Sequence, residues 1–329
     1  MKQYKKFVTI TLTILFSCLL LAGCSFHNTK VIFTTGFEES QIFRLESMYC
    51  TKSELMVYLV NMQKQYEKAY GAEVWKTGNQ SELESGLKES ALERLARVKA
   101  MNLIAERFGV LLSDADKDNA RRAAKEYYNT LNATEKEVLD TSEEELTQMY
   151  QEYCLAEKLY RYIVQDVSVE ISDDEARIIT VDRILTGSYN KIVEAEEKLE
   201  AGENFSTVAS TYNEIGEVTE SFGKGTKDEE YERIAFNLGT GEVSGIVETA
   251  EGYAIIKCIS TFDKNETEAN KIKILQTRKE EAFDATYEEL ASNMERTLNE
   301  KLWKTVLLPM QKEIVTSSFW EVYQSNYTD

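Results

Sequence analysis

Apolar residues recur every three to four positions over much of the first half of the chain, the period of an amphipathic helix. From Thr51 to about Ile163 the pattern predicts helix after helix. "TKSE" at Thr51 is a capping box, and Leu55, Tyr58, Leu59, Met62 and Tyr66 follow it at helical spacing. A second helix opens at "SELE" (Ser81) and runs through Leu83, Leu87, Leu92, Leu95, Val98, Met101 and Leu103, with Gly109 as its C-cap. "SDAD" at Ser113 and "TSEEE" at Thr141 start two more. Such stripes are packed core first, but tyrosines on them, with an apolar body and a polar tip, suit an adaptable cleft.

The period changes after "VSVEISDDEAR". "IITVDRIL", Ile178 to Leu185, is rich in β-branched residues and reads as a strand. "YNKIVEAEEKLEAG", "NFSTVASTYN" and "ERIAFNL" read as three helices, and "GEVSGIVETAEGYAIIKCIS" as two strands around a turn. The order β-α-α-α-β-β in so short a stretch predicts a compact α+β domain.

The N-terminus follows a third pattern. Lys2, Lys5 and Lys6 precede a 17-residue apolar run, and "LAGC" closes it at Cys24, the arrangement of an export signal with a cleavage site. The run is at the short end of what spans a bilayer. Cleavage before Cys24 would remove three lysines and take the formal charge from −19 to −22. So acidic a chain is a poor ligand for nucleic acid. Cys50, Cys154 and Cys258 are odd in number and widely spaced, which predicts buried free thiols over a disulfide framework or a zinc site. The one histidine, His27, sits in the polar stretch "SFHNTK", so histidine-based triads and HExxH zinc sites are excluded. No Gly-rich phosphate loop is present, and no nucleotide, metal or other cofactor is expected.

Several of these stretches carry a resemblance. "LAGC" resembles the lipobox of bacterial lipoproteins, which implies diacylation of Cys24 and attachment to a lipid membrane. "EKLEAGENFSTVASTYN", "AFNLGTGEVSGIVETAEGYAIIK" and the "RIL" strand resemble the parvulin-type peptidyl-prolyl isomerase domain over Arg177 to about Phe262. "LSDAD" and "CLAEKLYRYIVQDVSVEISDDEA" resemble the helical chaperone part of PrsA-like and SurA-like folding factors, and "FDATYEELASNMERTLNEKLWKTVLLPMQ" suits the C-terminal helix that returns to complete it. The implied fold class is α+β: a mostly helical chaperone domain built from N- and C-terminal segments, with an inserted parvulin-like domain. Its expected parts are a signal peptide (1–23), a tether (24–50), N-terminal helices (51–174), the parvulin-like domain (175–262) and C-terminal helices (268–329).

The family's active residues are displaced. Its first-strand histidine falls on Arg183 and its last-strand histidine on Ala254. The apolar pair that would hold a proline ring falls on Lys227 and Tyr231, with Phe236 kept, and the run "GGDLGWF" becomes "GEVTESF", ending at Phe222. An unpaired buried charge costs several kcal/mol, so the pocket is expected to be open, filled by the Arg183 stem, or rebuilt. Arg183, Phe222, Lys227, Tyr231, Phe236 and Ala254 are therefore expected as a vestigial, client-binding pocket. The implied protein is an extracytoplasmic, lipid-anchored folding chaperone for unfolded or newly secreted polypeptides. Two alternatives stand beside it: an active isomerase, and an adaptor lipoprotein for one specific partner.

Overall fold

The computed structural model describes residues 36–76 and 80–327, so Cys24, His27 and the export signal lie outside the described residues. Strands β1 (Gln41–Leu45) and β2 (Met48–Thr51) form an antiparallel hairpin inside the stretch expected to be a tether. Helix α1 (Lys52–Tyr70) starts directly from it. The Thr51 hydroxyl accepts from the Glu54 amide at 3.1 Å while the Thr51 amide donates to the Glu54 carboxylate at 2.6 Å, so two helix-end donors are satisfied reciprocally. Helix α2 (Gln80–Arg107) is followed by Gly109 at φ 66, a left-handed conformation that favours glycine. Then come α3 (Asp114–Thr130), α4 (Ala133–Leu139) and α5 (Glu143–Ile163), capped by Ser113, Asn132 and Ser142. The apolar rows do what their spacing predicts: Leu55, Leu59, Leu95, Val98 and Met101 are all buried, each contributing roughly 1.5–3 kcal/mol of transfer free energy.

The middle of the chain holds β3 (Ile178–Thr186), α6 (Tyr189–Glu200), α7 (Phe205–Tyr212), β4 (Thr219–Gly223), α8 (Glu229–Asn237), β5 (Val247–Thr249) and β6 (Gly252–Ser260). The sheet is antiparallel in the order β4-β3-β6-β5. The expected order lacked β4, so it is corrected to β-α-α-β-α-β-β. Alternation sorts the side chains into two layers. Ile179, Val181 and Leu185 of β3 face Phe222, Ala254, Ile256 and the α8 residues Tyr231 and Ala235. Ile184 and Ile255 point the other way, against Ile192, Phe205 and Val208 of α6 and α7.

The long helix α9 (Lys264–Ala291) ends well before the expected Gln311. The chain instead enters β7 (Arg296–Leu298), which pairs with β1 to give a three-stranded sheet β2-β1-β7, and closes on helix α10 (Phe319–Asn326). Phe319 stacks on Tyr150 at 4.4 Å between ring centres, and the Tyr150 hydroxyl donates to the Phe319 carbonyl at 2.9 Å. That contact ties the returning segment into the N-terminal helices. The chain divides into two compact units, residues 1–165 with 282–329, and 166–281. The class is α+β and mostly helical, with the second unit taking in more of its flanks than the expected 175–262. Among the described residues no helix is long and apolar enough to cross a membrane.

Candidate functional site

A cleft of about 390 Å³ opens in the second unit, lined by Arg183, Leu185, Thr226, Lys227, Tyr231 and Glu251 among others. Register explains its floor. Arg183 shares a face of β3 with Val181 and Leu185, and Val181 pairs with Glu220 of β4. Glu220 therefore projects on the same face, one diagonal step from Arg183. On the other side, Asp228 caps α8 by accepting from the amides of Glu230 and Tyr231, which starts the helix so that Tyr231 packs inward against the Phe222 ring at 5.8 Å.

Glu220 is the hub. The Tyr231 hydroxyl donates to its Oε1 at 2.8 Å, and the Lys227 ammonium donates to its Oε2 at 2.7 Å while standing 5.4 Å over the Phe222 ring. The Arg183 guanidinium approaches Oε2 only to 3.5 Å and donates from Nε to the Glu217 carbonyl at 3.2 Å. The Arg183 and Glu220 side chains are 13% and 14% exposed, against 30% for Lys227, so the cluster is largely desolvated but open on one side. Burial, then the facing Glu220 carboxylate, push the Tyr231 hydroxyl well above its ordinary value, so it stays a proton donor. Gly216 is needed beside it: its φ is 66, and a Cβ there would come within 2.6 Å of the Arg183 guanidinium.

Arg183, Lys227 and Tyr231 thus line the cleft together, with Phe222 packed beneath Lys227 and Tyr231, while Phe236 and Ala254 stand away from it. Phe222 and Ala254 are buried in the sheet's core, with Ala254 opposite Leu185. Phe236 is half-buried beneath the Arg177 guanidinium at 4.9 Å. The cleft carries an ion cluster, Arg183 and Lys227 around Glu220, where the resemblance implies an apolar clamp. The residue that links them, Glu220, went unnoticed in the sequence because its role depends on the pairing of β4. Chemically the floor offers hydrogen-bond donors and fixed charge.

The helical unit has a different concavity, about 600 Å³ between α1 and α2, lined by Met62, Tyr66, Tyr70, Trp75, Leu83 and Leu87 among others. Trp75 is positioned by its indole N–H donating to Glu67 at 2.9 Å, and Tyr66 packs on Tyr70 and Trp75 with ring centres 4.6 and 5.6 Å away. Gly86 leaves open space where a side chain would stand.

Residues 172–260 match the family described as rotamase, PPIC-type PPIASE domain. The chain is 30% identical over 161 residues to foldase protein PrsA 2 of Listeria monocytogenes, covering 46% of this chain and 52% of that protein. It is 24% identical over 269 residues to foldase protein PrsA of Clostridium botulinum, covering 70% and 79%. The alignment thus spans about half the length of the Listeria relative. Among solved structures, the peptidylprolyl isomerase (PrsA) of Bacillus cereus aligns with 84% of this chain and 95% of its own at 18% identity and a TM-score of 0.39.

Proposed function

We propose, from this chain's standing as a PrsA-like protein with a parvulin-type domain, that it is an exported folding helper, held at the membrane by lipid on Cys24, whose parvulin-type domain binds polypeptide without isomerising it. Its clients would be unfolded or newly secreted chains; the relatives it resembles are named foldase proteins. One contrast carries the reading. The apolar surface suited to an unfolded segment is the Tyr66–Trp75 groove of the helical unit, whereas the parvulin-type cleft is floored by the Glu220 ion cluster.

Isomerisation requires loosening a C–N bond whose rotational barrier is about 18–20 kcal/mol. An apolar pocket that holds the proline ring and withdraws water from the amide lowers that barrier. With Lys227, Glu220 and Arg183 in this place, a proline ring would have to strip solvent from paired charges, at a cost of several kcal/mol. Holding an unfolded chain needs only accessible apolar surface with polar relief.

The test is suppression of aggregation of a denatured secreted protein at near-equal molar ratio. The wild type is expected to suppress it and Tyr66→Ser with Tyr70→Ser to weaken that effect; equal protection by both, or none by the wild type, contradicts the reading. Fatty-acid labelling in cells tests the anchor. Cys24→Ala is expected to abolish it, and unchanged labelling would reject lipid attachment at Cys24.

A further inference from the structure

The inference concerns what the cleft binds, and it rests on reading that cleft as a non-catalytic polypeptide site. We infer that the cleft recognises a carboxylate on an extended polypeptide, with Arg183 and Lys227 as the recognising cations. The whole chain has 57 acidic against 38 basic residues, so two cations facing one concavity run against the general trend. They share a single carboxylate. Both Glu220 oxygens are already engaged, Oε1 by the Tyr231 hydroxyl at 2.8 Å and Oε2 by Lys227 at 2.7 Å. Arg183 comes no closer to that carboxylate than 3.5 Å.

A guanidinium has five donors in a planar fork that matches a carboxylate. Arg183 lines the cleft with its side chain only 13% exposed; it spends its Nε–H on the Glu217 carbonyl, stands 3.5 Å from Glu220 Oε2 and also bonds the Tyr231 hydroxyl. Lys227 has further ammonium protons available beside the one given to Glu220. A cation this far desolvated, whose one carboxylate partner stands at 3.5 Å and is shared with Lys227, is stabilised by an arriving anion more than an exposed one would be. The remaining acids at the cleft are Asp228 and Glu251. Asp228 is committed to the α8 amides at 3.2 and 3.5 Å, and Glu251 lies on the exposed turn after β5. They keep the site weak and select against multiply charged anions, which fits a singly charged side chain or chain terminus.

Glu220 acts here as a positioning residue: it holds Lys227 and Tyr231 in place and competes with the ligand for the same cations. The two roles give opposite signs on substitution. The experiment titrates the full-length protein with three peptides: acetyl-Gly-Ala-Glu-Ala-Gly-amide, its Gln counterpart, and the Gln sequence with a free C-terminal carboxylate. Binding is followed by calorimetry and by the Arg183 Nε–H resonance. The Glu peptide is expected to bind about tenfold more tightly than its blocked Gln counterpart, a difference of about 1.4 kcal/mol, and the third peptide shows whether a chain terminus serves as well. Arg183→Gln is expected to erase the preference, and Glu220→Gln, which removes the competing charge and keeps an acceptor for one of Lys227 and Tyr231, to increase it. If Arg183→Gln does not fold, Lys227→Gln carries the same expectation. Equal binding of the blocked Glu and Gln peptides, no binding of either, or the same sign of change in Arg183→Gln and Glu220→Gln overturns the inference. Aggregation suppression measured on the same samples separates the two claims: if it persists while the Glu preference is missing, carboxylate recognition fails and the folding-helper reading stands.

Discussion

Two ion clusters, one in each unit, show how the same pairing chemistry serves two ends. In the helical unit Lys99 donates to Glu54 at 2.7 Å and to Glu152 at 2.6 Å, with all three side chains sealed at 1%, 4% and 9% exposure. Glu54 also accepts from the Thr51 amide, and Glu152 from Gln148, so every partner is satisfied within the protein. There two carboxylates share one cation. In the cleft the stoichiometry is reversed, with one carboxylate serving two cations, and the cluster is open to solvent on one side. A closed cluster whose four carboxylate oxygens are all engaged within the protein fixes how α1, α2 and α5 pack. The other is open on one side, and there one carboxylate holds two cations.

The contrast is broken most severely at Lys99. Lys99→Met is expected to destabilise the helical unit by about 3–5 kcal/mol, because it leaves two buried carboxylates without their cation, and urea unfolding measures it. A loss below about 1 kcal/mol would mean that water or other cations reach the site. The pH dependence sharpens the same point. Burial alone would push the Lys99 ammonium down, but Glu54 and Glu152 outweigh it and hold it above its ordinary value of 10.5. A cation raised on folding contributes stability that is complete below 10.5 and is lost as pH rises through the folded value. The stability gap between wild type and Lys99→Met is therefore expected to narrow above 10.5. A gap that widens there would reverse the assigned sign.

At the cleft the effects are smaller, since water can replace lost partners. Glu220→Ala is expected to cost about 1–2 kcal/mol, less than Lys99→Met, because the Tyr231 hydroxyl loses its acceptor while Lys227 turns to solvent. Differential scanning calorimetry of the second unit's transition checks it. Lys227→Met is expected to change stability by less than about 1 kcal/mol, because the thioether can rest on Phe222 where the ammonium stood. A larger loss would show that the lysine pairing holds the loop before α8 in place.

What was legible in the sequence followed from local periodicity. The Thr51 and Ser113 caps, the buried rows of α1 and α2, and the β3 and β6 strands all announce themselves within a few residues. Pairing across the chain does not. β4 is five residues with only Phe222 and Gly223 buried, so it carries no apolar alternation to read. β7 lies in "NMERTLNE", whose helical look gives way because Phe43 and Leu45 of β1 offer it partners from more than two hundred residues away. The site shared that fate. Arg183, Lys227 and Tyr231 stand out as departures from a family pattern, whereas Glu220 becomes their hub only once β4 is set against β3 in the observed register.

The central claim, that this parvulin-type cleft binds without isomerising, is tested most directly by following the cis-to-trans relaxation of a short blocked Xaa-Pro peptide with the protein in excess. The account predicts the uncatalysed relaxation, tens to hundreds of seconds at 25 °C, unchanged by the wild-type protein. Saturable acceleration by the wild type that disappears in Tyr231→Ala would contradict it and make the Glu220 cluster part of a working isomerase.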